Sequence, residues 1–248
     1  MLTPDDALLT GRVVVVTGAA AGIGRATALA CKAFGAELAV CDRNAEGLDD
    51  LGATSTAVLD VRDVTAVEAW VADLDRVDVL VNNAGGTFRA DFLDVNAKGQ
   101  QALVDENWTS VTTFVRACVP KMPDAGSIVN VTSVEAHRAA PGYGVYAAMK
   151  AAVENLTRTL ALELSDRGIR VNCIAPDLIP TEGELGLAAD EYPVAPIGLT
   201  GHPDDCAAAV VYLASPMARF VTGTTLHVDG GSNAARGWHR SPDGGWVP

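Results

Sequence analysis

Tyr146 and Lys150 are the residues whose types and spacing most directly suggest chemistry, since they close the two ends of the segment Tyr-Ala-Ala-Met-Lys. Residues four apart on a helix lie one turn apart on the same face. A lysine ammonium in that position favours the phenolate and lowers the pKa of the tyrosine from about 10. A phenolate that forms near neutral pH can act as a general base toward an alcohol. The pair therefore predicts a general base, with Ser133 thirteen residues upstream.

A glycine-rich segment, Thr-Gly-Ala-Ala-Ala-Gly-Ile-Gly, spans residues 17–24, after the first predicted strand and at the start of a helix. Its glycines permit a tight turn and a close approach of the backbone to a ligand. The helix N-terminus offers free N–H groups and a partial positive charge to a pyrophosphate. A plain strand-to-helix turn is the alternative interpretation. The acidic residue that follows the second strand favours a dinucleotide site.

That residue is Asp42, eighteen positions after Gly24. Its carboxylate can accept hydrogen bonds from the hydroxyls of an adenosine ribose. A 2′-phosphate there would place like charges together, which disfavours the phosphorylated dinucleotide. Arg43 is the one complication, because it could cover the adenine or meet a phosphate if Asp42 moved aside. We therefore expect NAD rather than NADP as the cofactor.

Two further segments follow predicted strands and complete the nucleotide site. Asp60-Val61 closes the third strand, where a carboxylate and a flanking backbone can bracket an adenine. Asn82-Asn83-Ala84-Gly85 closes the fourth, where small residues let the backbone approach the cofactor. Both segments belong to the same predicted cleft as the glycine-rich loop.

These residues need a parallel sheet to bring them together. Apolar runs of strand length alternate with helical segments, notably Asn96 to Met122, Gly144 to Ser165 and Pro203 to Ser215. Continuous apolar strands and strand-helix alternation are typical of an α/β protein with a doubly wound parallel sheet covered on both faces. Ligands then bind beyond the carboxyl ends of the strands. The seven predicted strands are Val13-Val16, Glu37-Val40, Thr56-Leu59, Val77-Val81, Ile128-Val131, Val171-Ile174 and Thr225-Val228.

Composition and charge limit the other possibilities. The 248 residues are 49% hydrophobic, and no Pro/Ser-rich linker divides them, so we expect one domain over residues 1–248. The formal charge is 18 − 31 = −13, which disfavours nucleic acids and anionic membranes as partners. No long apolar segment predicts a membrane span or signal peptide. Five scattered cysteines and four histidines without ligand spacing predict no disulfide framework and no metal site, as in a cytoplasmic protein.

Together these motifs resemble those of the short-chain dehydrogenase/reductase family over nearly the whole chain. The resemblance implies a single-domain, Rossmann-like, three-layer α/β/α fold with seven parallel strands. It also implies oxidoreduction of an alcohol/carbonyl pair, and a homotetramer built on two long helices and the last strand. The matching segments are Thr17 to Gly24, Asp42, Asp60-Val61, Asn82 to Gly85, Ser133, Tyr146, Lys150, Ile179 to Thr181 and residues 228–231.

The same resemblance implies four catalytic residues. Tyr146 matches the acid/base, Lys150 lowers its pKa and holds the nicotinamide ribose, and Ser133 hydrogen-bonds the substrate oxygen. Asn107 matches the asparagine that helps to hold a water in the proton relay, whereas Asn96 is better interpreted as a helix cap. The implied cofactor-binding residues are Gly18, Ala21, Gly22, Ile23, Gly24, Asp42, Arg43, Asp60, Val61, Asn83, Ala84, Gly85, Tyr146, Lys150, Ile179 and Thr181.

Three positions depart from the family pattern or imitate it. Trp108 is bulkier than the leucine common after the relay asparagine, so local helix packing can differ. Asp177 replaces the usual glycine after Pro176, and aspartate adopts the unusual backbone conformations of a turn less readily than glycine does. Tyr143 has alanine rather than lysine four residues later and is interpreted as pocket wall or packing.

The substrate side is the least specified part of the sequence. Glu135 and His137, shortly after Ser133, can hydrogen-bond a polar substrate or simply lie solvated at the rim. A short lid is expected from Glu182 to Pro196. The tail from residue 232 contains Trp238 and Trp246, so we expect it to pack on the cleft of its own or a neighbouring subunit, or on a surface elsewhere.

The sequence thus predicts an NAD-dependent secondary-alcohol dehydrogenase or ketone reductase acting on a small molecule. A 3-oxoacyl-thioester reductase that uses NADPH is the first alternative; Asp42 disfavours its cofactor, and the net charge of −13 disfavours an acidic acyl-carrier partner. A nucleotide-sensing protein without catalysis is the second alternative. The presence of all four family catalytic residues argues against it.

Overall fold

The computed structural model describes residues 1–181, 195–241 and 243–247. Its centre is a seven-stranded, wholly parallel sheet with strand order β3-β2-β1-β4-β5-β6-β7. This confirms the predicted α/β fold and each of the seven predicted strands. The strands are β1 Val13–Thr17, β2 Glu37–Asp42, β3 Ser55–Val58, β4 Val79–Asn82, β5 Ser127–Val131, β6 Arg170–Pro176 and β7 Thr225–Val228.

The central strands are apolar because both of their faces are covered. Val14 and Val16 belong to one hydrophobic core, whereas Val15 between them belongs to the other. Successive side chains point to opposite faces of a strand, so a continuous valine run fills both cores. The chain runs outward from β1 through β2 to β3 and then returns to β4 on the other side of β1. This reversal is a topological switch point, where doubly wound folds bind ligands.

Helices cover the two faces of the sheet and complete three layers. Buried residues of α1 and α6 pack into the core of Val14, and those of α2, α4 and α5 pack into the core of Val15. The sheet is therefore Rossmann-like. The helices are α1 Gly22–Ala33, α2 Val64–Ala72, α3 Ala97–Val104, α4 Ser110–Cys118, α5 Gly144–Glu163, α6 Pro203–Ala214 and the short α7 Ser232–Ala235.

The predicted single helix from Asn96 to Met122 is interrupted. A π-helical turn, Asp105–Thr109, separates α3 from α4, and a 3-10 turn, Val119–Lys121, follows α4. Side chains take part in this turn: Asn107 Nδ2 donates to the carbonyl of Leu103 at 3.0 Å, and Ser110 Oγ donates to that of Glu106 at 2.7 Å. Side chains that bond to helix carbonyls commonly accompany such a break. Trp108, expected to alter packing, lies inside the turn.

The C-terminal tail forms α7 and then a small antiparallel hairpin of β8 His239–Arg240 and β9 Trp246–Val247. Trp238 and Trp246 are 52% and 43% exposed in the single chain. The tail is thus ordered in its described part, but its tryptophans are only partly buried. The five cysteines are buried free thiols. No helix among the described residues is long and apolar enough to cross a membrane.

Candidate active site

The glycine-rich loop between β1 and α1 packs too closely for side chains at some of its glycines. A Cβ atom on Gly24 would lie 2.0 Å from the carbonyl oxygen of Gly18 and 2.4 Å from Nδ2 of Asn83. Gly18 has a φ of +67°, which side chains disfavour. Ala21, at the N-cap of α1, makes no side-chain bond to the first helical amides. These N–H groups are therefore available to an anion.

Thr17 fixes this loop to the end of β4, a role that the sequence analysis missed. Its hydroxyl accepts hydrogen bonds from the amides of Asn83 at 3.0 Å and Ala84 at 2.9 Å. In return, Asn83 Nδ2 donates to the carbonyls of Thr17 at 3.0 Å and Gly18 at 3.1 Å. The loop after β1 and the predicted cofactor-binding segment after β4 therefore form one rigid unit. The order of residues along the sequence does not reveal these contacts, since they join residues more than sixty positions apart.

Ile179 and Thr181 come to the same loop from the end of β6. A Cβ on Gly22 would lie 2.9 Å from Cγ2 of Thr181, so the threonine contacts the glycine-rich loop directly. Ile179 is buried in the hydrophobic core on the α1 side of the sheet. The partly buried Ile23 packs against the same core. Asp177 donates its backbone N–H to Val228 at 3.3 Å and is not among the described non-glycine residues with positive φ. The turn therefore accepts Asp in place of the usual Gly without backbone strain.

Asp42 is oriented by two backbone amides. Its Oδ2 accepts from the amide of Ala20 at 3.0 Å and its Oδ1 accepts from that of Asn44 at 2.9 Å. The carboxylate is therefore held beside the glycine-rich loop, at the end of β2. Arg43, the next residue, is exposed. Of these two neighbours, only Asp42 has its side chain fixed beside the glycine-rich loop by hydrogen bonds to described residues.

Asp60 forms an ion pair with Arg62, two residues further along the chain. Both of its carboxylate oxygens accept from Arg62, with Nε at 2.9 and 3.0 Å. The hydrogen bonds from this guanidinium hold the pKa of Asp60 below its usual value. Val61 between them is buried. The predicted adenine end of the cleft therefore carries an ion pair rather than a free carboxylate.

Tyr146 and Lys150 lie on α5 as the spacing predicts. Lys150 Nζ is 5.5 Å from the centre of the Tyr146 ring. The lysine is buried, and its Nζ donates to the carbonyl of Val131 at the end of β5, at 2.9 Å. Burial lowers the pKa of Lys150 to about 8, although the nearby Cys173 and Glu106 oppose this effect. A charged lysine here is costly without further partners.

Asn107 faces Lys150 across Gly85. A Cβ on Gly85 would lie 2.9 Å from Oδ1 of Asn107 and 3.1 Å from Nζ of Lys150. The Asn107 side chain is buried, and Nδ2 donates to the carbonyls of Gly86 and Leu103, but Oδ1 has no partner among the described residues. The polar ends of the two predicted relay residues thus both reach the space beside Gly85. Asn96 accepts from the amide of Gly99 as the N-cap of α3, as predicted.

Ser133 lies two residues beyond β5 and is buried. Its Oγ accepts from the amide of Glu135 at 3.2 Å and so caps a 3-10 turn. Glu135 pairs with Arg138 at 2.8 Å, and Arg138 also pairs with Asp177 at 3.2 Å. The ion pairs of Arg138 therefore connect the loop that follows β5 with the loop that follows β6. Tyr143, one residue before α5, is its N-cap residue and is half-buried.

His137 packs into the fold rather than lying at the rim. Its ring is 4.5 Å from that of His227 on β7, and its Nε2 is 3.2 Å from Oε2 of Glu154 on α5. Glu154 is buried and also pairs with Arg158, one turn further along α5. Burial lowers the pKa of His137, and the charges of His227 and Arg158 act in the same direction. This cluster anchors the loop after Ser133.

The residues present fit a dinucleotide. A buried ammonium has three donors, and Lys150 uses one of them on Val131 among the described residues, so a ribose diol would satisfy the others. The uncapped amides of α1 fit a pyrophosphate, and Asp42 fits the ribose at the other end. The described residues contain no group of three or more His, Cys, Asp or Glu side chains that could hold a metal ion. The predicted lid lies outside the described residues apart from its last two positions.

Comparison with known proteins assigns this arrangement to a family. A family profile described as Enoyl-(Acyl carrier protein) reductase matches residues 18–233. The chain is 36% identical over 253 residues to gluconate 5-dehydrogenase of Gluconobacter oxydans, which covers 93% of this chain and 98% of that protein. The chain belongs to the short-chain dehydrogenase/reductase family. The resemblance inferred from the motifs is therefore confirmed.

Other members of the short-chain dehydrogenase/reductase family match over similar lengths. The chain is 38% identical over 241 residues to the 3-oxoacyl-(acyl-carrier-protein) reductase FabG of Thermotoga maritima, covering 90% of this chain and 98% of that protein. A crystal structure from Beutenbergia cavernae, described as an NAD(P)-dependent gluconate 5-dehydrogenase with NADP at low occupancy, has a TM-score of 0.85. It is 33% identical and covers 92% of this chain and 99% of that one.

Family membership makes this chain an oxidoreductase of alcohol or keto groups that uses a nicotinamide cofactor and small-molecule substrates. The relatives include both dehydrogenases and reductases.

Proposed function

We propose that this chain is an NAD-dependent secondary-alcohol dehydrogenase or ketone reductase, with Asn107, Ser133, Tyr146 and Lys150 as its catalytic residues. The observation that supports this best is the buried ammonium of Lys150, 5.5 Å from the ring centre of Tyr146 and hydrogen-bonded at Val131. A lysine is seldom buried unless it is paired or functional. Here it stands beside a phenol at the carboxyl end of a parallel sheet, where such folds bind ligands.

In alcohol oxidation, the Tyr146 phenolate takes the hydroxyl proton of the substrate, and the Ser133 hydroxyl orients the substrate oxygen. The bound nicotinamide supplies the hydride acceptor. Lys150 stabilises the phenolate by its charge and holds the ribose of the cofactor. Asn107, whose buried Oδ1 has no hydrogen-bond partner within the described part of the chain, supports a water in the proton path beyond Lys150. Reduction of a ketone runs through the same groups in reverse.

The preference for NAD rests on Asp42. Two backbone amides hold its carboxylate, so it does not readily swing aside to leave a 2′-phosphate to Arg43. A phosphate placed against this carboxylate would meet like charge in a partly buried site. We therefore expect a much larger kcat/KM with NAD than with NADP.

Steady-state kinetics with both cofactors tests this preference, on a panel of polyol, steroid, terpene and 3-hydroxyacyl-thioester alcohols. Asp42→Ala should have a lower kcat/KM with NAD, so its ratio of kcat/KM with NAD to kcat/KM with NADP should be closer to one than in wild type. Asp49→Ala, at an exposed position beyond β2, is the matched control and should keep the wild-type ratio. A wild-type protein that prefers NADP would refute the argument from Asp42.

The second candidate is a 3-oxoacyl-thioester reductase, which the match to the Thermotoga maritima reductase favours. It predicts reduction of a 3-oxoacyl thioester with NADPH. The fixed Asp42 and the formal charge of −13 oppose it. The same kinetic panel distinguishes the two, because each predicts a different best pair of substrate and cofactor.

A protein that only senses nucleotides remains the alternative of another class. Tyr146→Phe separates it from an enzyme, because the variant removes the phenolic oxygen and leaves the ring and Lys150 in place. We expect this variant to bind NADH with wild-type affinity and to lose turnover. Wild-type activity in Tyr146→Phe would show that Tyr146 is not the acid/base.

We also propose a homotetramer in which the C-terminal hairpin contacts a cleft or a neighbouring subunit. The partial exposure of Trp238 and Trp246 in the single chain supports such a contact. Light scattering after size-exclusion chromatography measures the subunit number. Truncation after Asn233 tests the tail: unchanged assembly and kinetics would contradict its role.

A further inference from the structure

Glu106 is a carboxylate beside the proposed proton relay that no step above uses. It precedes Asn107 within the π-helical turn, and it is half-buried. No hydrogen bond or ion pair within the described residues involves its carboxylate, although its backbone carbonyl accepts from Ser110.

The position of Glu106 is defined by the two glycines that follow β4. A Cβ on Gly86 would lie 3.0 and 3.1 Å from the two carboxylate oxygens of Glu106. The neighbouring Gly85 has Asn107 Oδ1 and Lys150 Nζ at 2.9 and 3.1 Å from its own Cβ position. The side chains of Lys150, Asn107 and Glu106 therefore all reach the short segment Gly85-Gly86. Glycine at both positions leaves room there, because any side chain would fill the space between these groups.

Asn107 contacts both glycines. Its Nδ2 donates to the carbonyl of Gly86 at 2.9 Å, which fixes the side chain with Oδ1 turned to the Lys150 side. The buried Oδ1 without a partner among the described residues marks a place for a water. Such a water can pass a proton from Lys150 toward Glu106.

We propose that Glu106 is the proton acceptor at the solvent end of the relay that starts at Tyr146 and passes Lys150 and Asn107. This inference rests on the proposed dehydrogenase function and adds a residue to it. Glu106 acts through Lys150 and does not contact the substrate.

The proton and the electron pair follow separate paths in this scheme. A bound nicotinamide would accept the hydride that leaves the substrate carbon, while the Tyr146 phenolate takes the substrate hydroxyl proton. Lys150 and the water at Asn107 pass that proton to the Glu106 carboxylate, which becomes a carboxylic acid and then releases it to solvent. In ketone reduction the acid returns the proton along the same path. No further reactant is needed.

The charged groups around Glu106 support coupling to Lys150. The Glu106 charge favours the ammonium form of Lys150, against the effect of burial. The charges of Glu106 and Asp105 also contribute to raising the pKa of Arg62, which lies beyond the end of β3. Asp105 is the adjacent carboxylate on the same turn, but its Oδ1 accepts from Gln101 Nε2 at 2.9 Å and from Thr109 Oγ1 at 3.2 Å. It is not among the groups that act on Lys150.

The first experiment measures the titration of Lys150 directly, without turnover. The chain has only four lysines, so lysine labelled with 13C at Cε gives a simple spectrum, and Lys150→Met assigns the signal. In the cofactor-free protein, Glu106→Gln should lower the titration midpoint of Lys150 by about half a pH unit or more. Asp105→Asn, the matched control, should leave it unchanged. An identical midpoint in wild type and Glu106→Gln would overturn the proposal.

The second experiment measures alcohol oxidation with NAD between pH 6 and 9. Glu106→Gln should lower kcat at pH 7 by about tenfold, less than the ~100-fold that loss of a positioned acid–base group causes, since water can partly replace it. The loss should diminish as pH rises and as imidazole buffer, a diffusible acceptor, becomes more concentrated. Asp105→Asn should keep the wild-type pH profile.

A loss in Glu106→Gln that is independent of pH and of buffer would show a structural role and overturn the relay. If the wild-type protein oxidises no alcohol, the proposed function fails. The titration of Lys150 still decides separately whether Glu106 controls its proton.

Discussion

Replacing Gly24 by alanine should disrupt the nucleotide loop, because the added methyl group meets backbone atoms that cannot rotate away. Its Cβ would lie 2.0 Å from the carbonyl oxygen of Gly18 and 2.4 Å from Nδ2 of Asn83. Overpacking of a tight site costs about 1–3 kcal/mol. Displacing Asn83 also weakens its two hydrogen bonds to the loop, each of which contributes about 1 kcal/mol. We therefore expect Gly24→Ala to lose about 2–5 kcal/mol.

Urea unfolding of the cofactor-free protein measures this loss. With a slope of about 3 kcal/mol per molar urea, a loss of 3 kcal/mol moves the midpoint by about 1 M. Gly144→Ala is the matched control: it also lies in the first turn of a helix, but its Cβ would find its nearest neighbour, Phe92, at 3.4 Å. We expect the control to be as stable as wild type or up to about 1 kcal/mol more stable.

NAD affinity should fall in Gly24→Ala as well, since the displaced loop no longer presents its amides to the pyrophosphate. Isothermal calorimetry on both alanine variants measures this effect. A Gly24→Ala protein with the wild-type urea midpoint and the wild-type affinity would refute the close packing described for this loop.

Three further predictions concern buried polar groups. Thr17→Val should lose at least about 2 kcal/mol in urea unfolding, because two amides lose their acceptor, whereas Thr17→Ser should retain most of the stability. Lys150→Met should abolish turnover and yet be about 2 kcal/mol more stable than wild type at pH 7. Burial lowers the pKa of Lys150 to about 8, so the wild-type fold loses stability as pH falls from about 10.5 toward 8. The difference in melting temperature between the two proteins should therefore shrink above pH 10. The pKa of His137 is lowered in the fold, so the neutral ring contributes stability above pH 6.5, and this contribution is lost as the pH falls below 6.5. The melting temperature of His137→Gln should therefore drop less between pH 7.5 and pH 5.5 than that of wild type.

The strands and the general arrangement of the fold were predictable because their signal is local. Four successive valines in β1 indicate a strand covered on both faces, and its position before the glycine-rich loop indicates the switch point. The interruption at Asp105–Thr109 was not predictable. A π-turn shifts the helical phase by one residue, and this polar stretch has too few apolar residues to show the shift.

Residue types at known spacing predicted Tyr146, Lys150 and Asp42, but not how each is held. The Thr17 hydroxyl, the pairing of Asp60 with Arg62 and the unused Glu106 carboxylate all depend on contacts between distant segments. Charge and hydrogen-bonding partners become visible only when the carboxyl ends of the strands are brought to one edge. The environment of a site residue therefore requires the structure.

The π-turn between α3 and α4 has a consequence for which changes this segment can accept. Each residue of an α-helix turns the chain by about 100°, so one residue more or less rotates everything beyond it by that angle. With the turn in place, α4 presents Val111, Phe114 and Cys118 to the core while Asn107 points to Gly85. Deleting any one residue of 105–109 would straighten the helix and turn one of these two faces away from its partner. Substitutions can thus vary the chemistry at position 106, but the length of the segment is fixed by the need to satisfy the core and the cleft together.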